Sequence, residues 1–342
     1  MTWRMPAETA EHERTWMAFP REGVTLGASA EERQEGYEAW TAVANAIAAF
    51  EPVTMVADPS EVARAKRMLD GAIEVVEAPL DEFWMRDVGP TFVLDDEDPG
   101  RLGAVDWIFN GWGAPAWAEW QLSAALGATV GALAGAERIG SLLVNEGGGI
   151  HVDGEGTVLL TETVQLDPRR NPHADRTRVE AELARTIGAE HAIWLPRGLT
   201  RDYEEFGTNG HVDIVAAFAS PGRVLLHEQL DPAHPDHAVS REIRAVLEAS
   251  TDARGRAIEV VALPAPATLR DDEGFVDWSY VNHSVVNGGV VVCGFGEPEA
   301  DARAREVLAE AYPGRDVVTV DARPIFARGG GIHCITQQQP RA

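Results

Sequence analysis

The chain has 342 residues, of which 45% are hydrophobic and 25% are charged, as is ordinary for a globular protein. Its 29 lysines and arginines stand against 55 aspartates and glutamates, so the formal charge is −26 at neutral pH. A surface this acidic repels phosphate backbones and anionic headgroups, which disfavours nucleic-acid and membrane partners and mildly favours a cationic ligand.

Short β-branched segments alternate with amphipathic helical segments along the whole chain. The predicted strands are residues 53–56, 73–76, 104–109, 157–160, 224–226, 258–261, 290–292 and 317–320, each bounded by Gly, Pro or Asp. Apolar residues spaced by three and four predict helices over residues 31–50, 176–187, 237–247 and 301–311. The fold class is therefore α/β.

Some predicted strands follow each other without a helix, over residues 150–165 and 211–227. This order argues against a simple doubly wound parallel sheet and favours repeated ββα-type units. A weak internal repeat supports the same view, because residues 146–151 and 328–333 share five of six residues, Gly-Gly-Gly-Ile-His. No linker or low-complexity tract interrupts the chain, so residues 1–342 are expected to form a single domain.

Cysteine content and hydropathy bear on the compartment. Two cysteines cannot make a disulfide framework. No apolar run approaches the length of about 20 residues that crosses a bilayer. The first eight residues contain no apolar core of signal-peptide type. These features predict a cytoplasmic location.

Four polar clusters stand beside Gly or Pro turns, where functional sites tend to be built. They are residues 84–90, 145–148, 209–213 and 331–334. In the last of them a glycine run leads directly into Cys334, which suggests a nucleophile at the floor of a tight pocket. The same segment also fits a glycine turn into a buried strand, with Cys334 as a small core residue.

The carboxylates of these clusters need a cation if they are buried. If His211-x-Asp213 is a strand, both side chains lie on one face and present an imidazole beside a carboxylate. Asp87 and Asp213 are candidates to hold a guanidinium, through charge-assisted hydrogen bonds worth about 1.5–3 kcal/mol each. Glu146 is expected to support the histidine or the substrate. A salt bridge from Asp87 to Arg86 and a satisfied core pair at His211 and Asp213 are the structural alternatives.

A metal centre is a different interpretation of the His-x-Asp pairs at His151 and His211. Imidazole and carboxylate suit zinc or manganese, but the spacing matches no His-Glu-x-x-His motif. A phosphate-binding loop is disfavoured, because no Lys-Ser/Thr pair follows residues 329–331. We therefore expect neither metal nor cofactor, and keep a metal-dependent hydrolase as an alternative.

Together these motifs resemble the agmatine deiminase family, within the guanidine-modifying (pentein) superfamily that also includes bacterial peptidylarginine deiminases. The matching segments are residues 5–8, 12–20, 84–90, 109–113, 145–149, 209–213, 279–282 and 329–338. The resemblance implies an α/β pentein fold, a five-bladed propeller of ββαβ-like units around a central active-site cavity. It also implies hydrolysis of agmatine to N-carbamoylputrescine and ammonia, through a covalent S-amidino-cysteine intermediate.

The resemblance also implies the site residues and the partner. The implied catalytic residues are Cys334, His211, Asp87, Asp213 and Glu146, and the implied substrate-binding residues are Trp84, Asp87, Asp213, Trp112, Gly330 and Gly331. Cys334 would be the nucleophile and His211 the general acid and base, with Trp84 against the alkyl chain. The expected partner is a small cationic guanidino compound, and the resemblance allows a homo-oligomer.

Some positions depart from the family pattern. Agmatine-specific members place an acidic residue four positions before the histidine to receive the substrate amine, and Gly207 stands there. A different guanidino substrate is therefore the main alternative. Bacterial peptidylarginine deiminases carry arginines after a Phe-Asn pair, whereas residues 111–113 here are Gly-Trp-Gly, which counts against a peptidylarginine substrate. Cys293 is expected to be structural.

Overall fold

The computed structural model describes residues 3–98 and 100–342. Met1, Thr2 and Pro99, which the expected single domain includes, lie outside the described residues. Within the described ranges, none of the helices has the length and apolar character that crossing a membrane requires.

Strands and helices alternate through the described chain. The strands are β1 (Trp3–Arg4), β2 (His12–Ala18), β3 (Val53–Ala57), β4 (Glu74–Glu77), β5 (Thr91–Asp95), β6 (Leu102–Ile108), β7 (Glu137–Val144), β8 (Ile150–Val152), β9 (Thr157–Thr161), β10 (His191–Leu195), β11 (Ala216–Ser220), β12 (Arg223–Glu228), β13 (Glu259–Pro264), β14 (Ser284–Val286), β15 (Gly289–Gly294), β16 (Asp316–Asp321) and β17 (Thr336–Pro340). The α-helices are α1 (Ala30–Ala48), α2 (Val62–Met68), α3 (Met85–Val88), α4 (Leu126–Leu133), α5 (Glu162–Gln165), α6 (Arg176–Ile187), α7 (Asp236–Glu248), α8 (Pro298–Ala311) and α9 (Arg323–Phe326). Short 3₁₀ turns cover Ser123–Ala125, Gly147–Gly149, Thr200–Tyr203 and Val212–Ile214. The predicted α/β class is confirmed.

The strands of the described residues form five sheets that share one plan. Their orders are β1-β5-β6-β7, β10-β9-β8, β11-β12-β13, β14-β15-β16 and β17-β2-β3-β4. In each sheet an antiparallel pair is extended by a parallel strand, and a helix connects the two parallel neighbours. Parallel neighbours need such a crossover, whereas antiparallel strands can be joined by a turn. The repeated ββα-type unit predicted from the sequence is therefore present, followed by its parallel strand.

Helix α1 shows how local sequence produces these elements. Ser29 accepts a hydrogen bond from the backbone of Glu32, and the Glu32 carboxylate accepts one from the backbone of Ser29. Such a capping box is worth about 1 kcal/mol of helix stability. Tyr37, Trp40 and Ile47 recur at helical spacing on one face of α1. All three are buried in the larger of the two apolar cores that the described residues form.

Pairing of the two ends of the chain places the C-terminal polar cluster. Strand β17 lies antiparallel to β2, with Thr336 opposite Met17. Cys334 lies two residues before β17, and its carbonyl accepts a hydrogen bond from the backbone of Arg86 in α3 at 3.1 Å. The turns at Gly147–Gly149 and Val212–Ile214 contact each other, and the first also contacts α3. All four predicted polar clusters therefore converge on one place.

Candidate active site

A narrow cavity lies where the four clusters meet. It is lined by Thr25, Trp84, Asp87, Trp112, Trp117, Phe206, Thr208, Arg328, Gly329 and Cys334. Its free space is about 10 Å³, enough for about one water molecule. Binding of a guanidino compound therefore requires some lining side chains to move.

Aromatic side chains form one wall of this cavity. Trp117 stacks on Trp112 at 5.7 Å between ring centroids and meets Phe206 at 4.9 Å. Trp112 and Phe206 both have left-handed φ, 59° and 64°, which non-glycine residues adopt at a cost of about 1–3 kcal/mol. The aromatic wall of the cavity therefore carries backbone strain.

Cys334 presents a buried thiol at the floor of the cavity. Its Sγ lies 3.2 Å from Asn282 Nδ2 and 3.6 Å from Asp213 Oδ2. Burial raises the pKa of the thiol well above its usual value, and the charges of Asp213 and Asp87 raise it further. The thiol is therefore neutral at pH 7 until a cation offsets those carboxylates.

Asp87 is held rigidly in front of the thiol. Its carboxylate accepts hydrogen bonds from Trp112 Nε1 at 2.9 Å and from the backbone of Gly148 at 3.0 Å. Burial raises the pKa of Asp87 to about 6. The positive charge of His211, whose Nδ1 lies 3.8 Å away, opposes this rise. The alternative salt bridge to Arg86 is absent from the described structure, since Arg86 pairs with Glu8 at 3.3 Å.

His211 does not lie in a strand, so that prediction was wrong. It precedes the 3₁₀ turn Val212–Ile214, because the Asp202 carboxylate accepts the backbone N–H groups of Gly210 and His211 at 2.7 and 3.0 Å and bends the chain. Its Nε2 lies 3.3 Å from Glu146. Within the described residues its Nδ1 has no hydrogen-bond partner.

The charge of His211 follows from its neighbours. Burial alone would lower its pKa, but the charges of Asp87, Glu146 and Asp213 raise the pKa to about 9. Glu146 is itself ionised, because Arg170 donates to both of its carboxylate oxygens at 3.0 and 3.1 Å. Burial would raise the pKa of Glu146, yet the charge of Arg170 and the bond to His211 bring it below the usual value. Glu146 thus holds a protonated imidazole in place.

Asp213 is tied to a second histidine. Its Oδ2 lies 2.7 Å from His333 Nδ1, while Oδ1 has no hydrogen-bond partner in the described part of the chain. The other ring nitrogen of His333 lies 2.8 Å from Glu8. Because both nitrogens face carboxylates, His333 is an imidazolium that donates twice. Burial and Arg86 would lower its pKa, but Glu8 and Asp213 raise the pKa above the usual value.

The comparisons with known proteins decide the family. Residues 4–340 match the family described as Porphyromonas-type peptidyl-arginine deiminase. The chain belongs to this family, and it is an enzyme. The resemblance inferred from the motifs is thereby confirmed.

Individual relatives cover the chain from end to end. It is 56% identical over 342 residues to a Streptomyces coelicolor protein provisionally named as an agmatine deiminase, covering 100% of both chains. It is 41% identical over 359 residues to the agmatine deiminase of Stutzerimonas stutzeri, covering 98% of this chain and 95% of that one. The solved structure of the Enterococcus faecalis agmatine deiminase superposes with a TM-score of 0.92 at 32% identity, covering 100% and 97%. The α/β fold of this deiminase structure therefore extends over the whole chain.

A possible metal-binding group in this family member is Glu8, His151 and His333, whose ligand atoms lie within 4.8 Å of one another. Both nitrogens of His333 face carboxylates, and Nδ1 of His151 accepts the backbone N–H of Phe218 at 3.2 Å. The Asp153 carboxylate accepts a hydrogen bond from the backbone N–H of Thr157 at 2.9 Å, within its own loop. The two His-x-Asp pairs thus do not meet at one point, and the arrangement is that of an ion-pair network.

The glycines of the C-terminal run have separate roles. Gly329 lines the cavity, whereas Gly330 and Gly331 do not. A Cβ at position 330 would lie 2.8 Å from the Trp84 ring, and one at position 331 would lie 2.5 Å from Asn282 Oδ1. Their absent side chains let Trp84 and Asn282 approach the thiol. The substrate contact expected for Gly330 and Gly331 stays a prediction.

Gly207 is a packing requirement of its loop. A Cβ there would lie 2.2 Å from the carbonyl oxygen of Asp202. An acidic side chain at this position would displace the backbone that Asp202 holds, so a Gly207→Glu variant is unsuitable as a test of amine binding.

Cys293 lies fully buried in β15 and donates to the carbonyl of Asn282 at 3.1 Å. Burial raises the pKa of its thiol to about 12. This thiol therefore has no access to the cavity.

Several functional side chains were missed by the sequence analysis. Glu8, Arg170, Asp202, Asn282 and His333 hold the predicted residues in place. Glu8, Asn282 and His333 lie inside matched segments, and His333 also belongs to the polar cluster 331–334. Arg170 and Asp202 are marked by no local pattern, because their partners are brought close by the fold.

Proposed function

We propose that this protein hydrolyses agmatine to N-carbamoylputrescine and ammonia. The observation that carries the proposal is the Oδ1 of Asp213, which has no hydrogen-bond partner among the described residues and belongs to a carboxylate 3.6 Å from the Cys334 thiol. A buried anion needs a cation, and a guanidinium is planar, permanently charged and rich in N–H donors. The names of the Stutzerimonas stutzeri and Enterococcus faecalis relatives support agmatine as the guanidine.

The first half of the reaction forms the covalent intermediate. A guanidinium held by Asp87 and Asp213 offsets their charges, which lowers the pKa of Cys334, so the thiol proton passes to solvent and leaves the thiolate. The sulfur attacks the guanidinium carbon, and a carbon–sulfur bond forms. His211, whose pKa of about 9 keeps it protonated, donates its proton to the leaving nitrogen, and the carbon–nitrogen bond breaks to release ammonia.

The second half hydrolyses that intermediate. The imidazole of His211 is now neutral and is oriented by Glu146, so it takes a proton from a water molecule. The water oxygen attacks the S-amidino carbon, and the carbon–sulfur bond breaks. The ureido product leaves, the thiolate of Cys334 is regenerated, and the last proton passes to ammonia. This chain's own side chains supply every step.

We further propose that the whole chain is a single catalytic domain in which the five sheets are the blades of a propeller around the cavity. Their shared strand order and the origin of the site residues in different sheet connections support this arrangement. Its partner would be a small cationic guanidino compound. The absence of an acidic side chain at Gly207 favours a second candidate, a guanidine other than agmatine.

The test is a substrate panel without added metal. Agmatine, arginine, 4-guanidinobutyrate and a short arginyl peptide are incubated with wild type and with Cys334→Ala, and ammonia and ureido product are measured. We expect turnover of agmatine that is lost in the variant. Turnover of another guanidine alone would contradict the substrate, and equal turnover by the variant would contradict the mechanism.

A further inference from the structure

Arg170 is a buried cation next to the pair formed by Glu146 and His211. Its side chain is fully buried, as is that of Glu146. It lies in the connection between α5 and α6, where the carbonyl of Asp167 accepts the backbone N–H groups of Arg170 and Asn171 at 3.0 and 2.7 Å. This tight turn fixes the backbone from which the guanidinium reaches the site.

The guanidinium of Arg170 serves three partners with three nitrogens. Nε donates to both carboxylate oxygens of Glu146 at 3.0 and 3.1 Å. Nη1 donates to Asp167 at 3.1 Å, and Nη2 donates to the carbonyl oxygen of Thr208 at 2.7 Å. A planar fork of five donors makes this possible, whereas a lysine has one nitrogen and cannot reach all three groups. The arrangement therefore requires an arginine.

Two of these partners contact His211. Glu146 lies 3.3 Å from His211 Nε2, and the Thr208 hydroxyl accepts the backbone N–H of His211 at 3.1 Å. Thr208 also lines the active-site cavity. Arg170 thus fixes the imidazole ring through one partner and the backbone of the histidine through the other.

The charge of Arg170 also decides where the proton between Glu146 and His211 lies. The other charged groups around this pair are carboxyl groups, those of Asp87, Asp202 and Asp213. Without Arg170, the Glu146 carboxylate would keep His211 as its remaining hydrogen-bond partner in the described residues. Transfer of the proton to Glu146 would then turn two buried charges into a neutral pair, which burial favours. A neutral imidazole has no proton for the leaving ammonia.

We propose that Arg170 is a positioning residue of the deimination, which keeps the shared proton on His211 and holds the imidazole at the leaving nitrogen. The inference rests on the proposed function, since it concerns the proton that His211 donates in the first half of the reaction. Arg170 acts mainly through Glu146, and its link to Thr208 adds a smaller, geometric part.

The signature of this role is the pH dependence of kcat, which reports groups in the enzyme–substrate complex. Burial would raise the pKa of Glu146, and the charge of Arg170 brings it below the usual value. Removal of that charge therefore raises the pKa of Glu146. Glu146 is then protonated at a higher pH than in the wild type, so kcat begins to fall at a higher pH as the solution is acidified.

The test compares Arg170→Gln with Arg169→Gln. Arg169 carries the same charge, and its half-exposed side chain donates to Asp167 instead of Glu146, so it is a matched control. Arg170→Lys keeps the charge without the fork, and it replaces Arg170→Gln if that variant does not fold. Both substitutions of Arg170 are repeated in a Glu146→Gln background. Ammonia release from agmatine gives kcat as a function of pH.

Alkylation by 2-chloroacetamidine separates positioning from collapse of the site. This probe presents an amidinium to Asp87 and Asp213 and reacts with the thiol of Cys334 by loss of chloride, so it requires no proton for a leaving ammonia. We expect its rate constant in Arg170→Gln to stay within about threefold of the wild-type value.

We expect Arg170→Gln to lower kcat about 30-fold and to move the acidic limb of the kcat profile to higher pH. Arg170→Lys should lower kcat about tenfold with the limb in place, and Arg169→Gln should change kcat less than about twofold. In the Glu146→Gln background, either substitution of Arg170 should change kcat less than about threefold, because the residue through which it acts is already altered.

Four results would each overturn the inference: equal losses in Arg170→Gln and Arg169→Gln, an acidic limb of Arg170→Gln that stays in place, a loss that is undiminished in the Glu146→Gln background, or alkylation slowed as much as kcat. If the wild type releases no ammonia from agmatine, the proposed function fails and the inference fails with it. With an active wild type, any of the four results overturns the inference alone.

Discussion

Residues 147–151 and 329–333 have the same sequence, Gly-Gly-Gly-Ile-His, yet the two segments have different roles. In the first, Gly147–Gly149 form a 3₁₀ turn whose Gly148 N–H binds Asp87 at 3.0 Å. In the second, Gly329 has left-handed φ and lines the cavity. One glycine run holds a carboxylate, and the other places backbone and the thiol at the cavity.

The histidines that end the two segments show the same division. Both approach Glu8, His151 at 3.6 Å and His333 at 2.8 Å, and their rings lie 6.0 Å apart. Only His333 also binds Asp213, and only His333 is followed by a thiol. The same five residues therefore take different backbone conformations in the two segments, and the chemistry depends on what each position contacts.

The largest expected effect concerns Cys334, the thiol that follows residues 329–333 and has no counterpart after residues 147–151. Cys334→Ala removes the nucleophile, so we expect kcat for agmatine to fall by roughly 10⁴-fold or more. Cys293→Ala removes a buried thiol outside the cavity and is expected to change kcat by less than about threefold. Ammonia release measures both. Activity of Cys334→Ala close to that of wild type would refute covalent catalysis.

The next effect separates the two histidines. His333→Asn leaves Glu8 and Asp213 without their shared cation, so we expect kcat to fall about 100-fold. Loss of that cation also raises the pKa of Asp213, which His333 lowers in the wild type. Asp213 has to be ionised together with Asp87 to hold a guanidinium, so the acidic limb of the pH–rate profile moves to higher pH.

His151→Asn is the matched control for that variant, with an expected change in kcat of less than about fivefold. The comparison fails if the two variants lose the same activity, or if the acidic limb of His333→Asn stays in place.

A smaller effect is expected at the first glycine run. A Cβ at position 148 would lie 2.4 Å from His211 Nδ1 and 3.0 Å from Asp87 Oδ1. Gly148→Ala should push this pair apart and lower kcat/KM about tenfold. Gly140→Ala adds a methyl group with no described atom within 4 Å and serves as the control. Equal kinetics for the two variants would show that close approach at Gly148 is unimportant.

The smallest effect concerns pH. Asp87 must be ionised, and its pKa of about 6 means that kcat/KM rises as the pH increases through 6. His211 must be protonated, and its pKa of about 9 means that kcat/KM falls as the pH increases through 9. A bell-shaped profile with these limbs is expected in steady-state assays. A profile that is flat across both values would rule out these assignments.

Much of the fold could be predicted from the sequence, because hydrophobic periodicity and turn residues are local features of the sequence. Helix α6 spans the predicted residues 176–187, and the polar clusters around Asp87 and Cys334 do meet. The turn at His211 could not be predicted, because it is set by Asp202, nine residues away. Nor could the contact of Glu8 with His333, which spans 325 positions of the chain. Contacts between residues that are distant in the sequence produce no local sequence pattern from which they could be predicted.

The central claim is that agmatine is hydrolysed through Cys334, and the most direct measurement is of the intermediate itself. Wild type is mixed with agmatine labelled at the guanidino carbon, quenched in acid during turnover, digested and examined by mass spectrometry. We predict an amidino group carrying the label on the peptide that contains Cys334, and none on the peptide that contains Cys293. Release of ammonia with Cys334 unlabelled at every quench time would contradict the account.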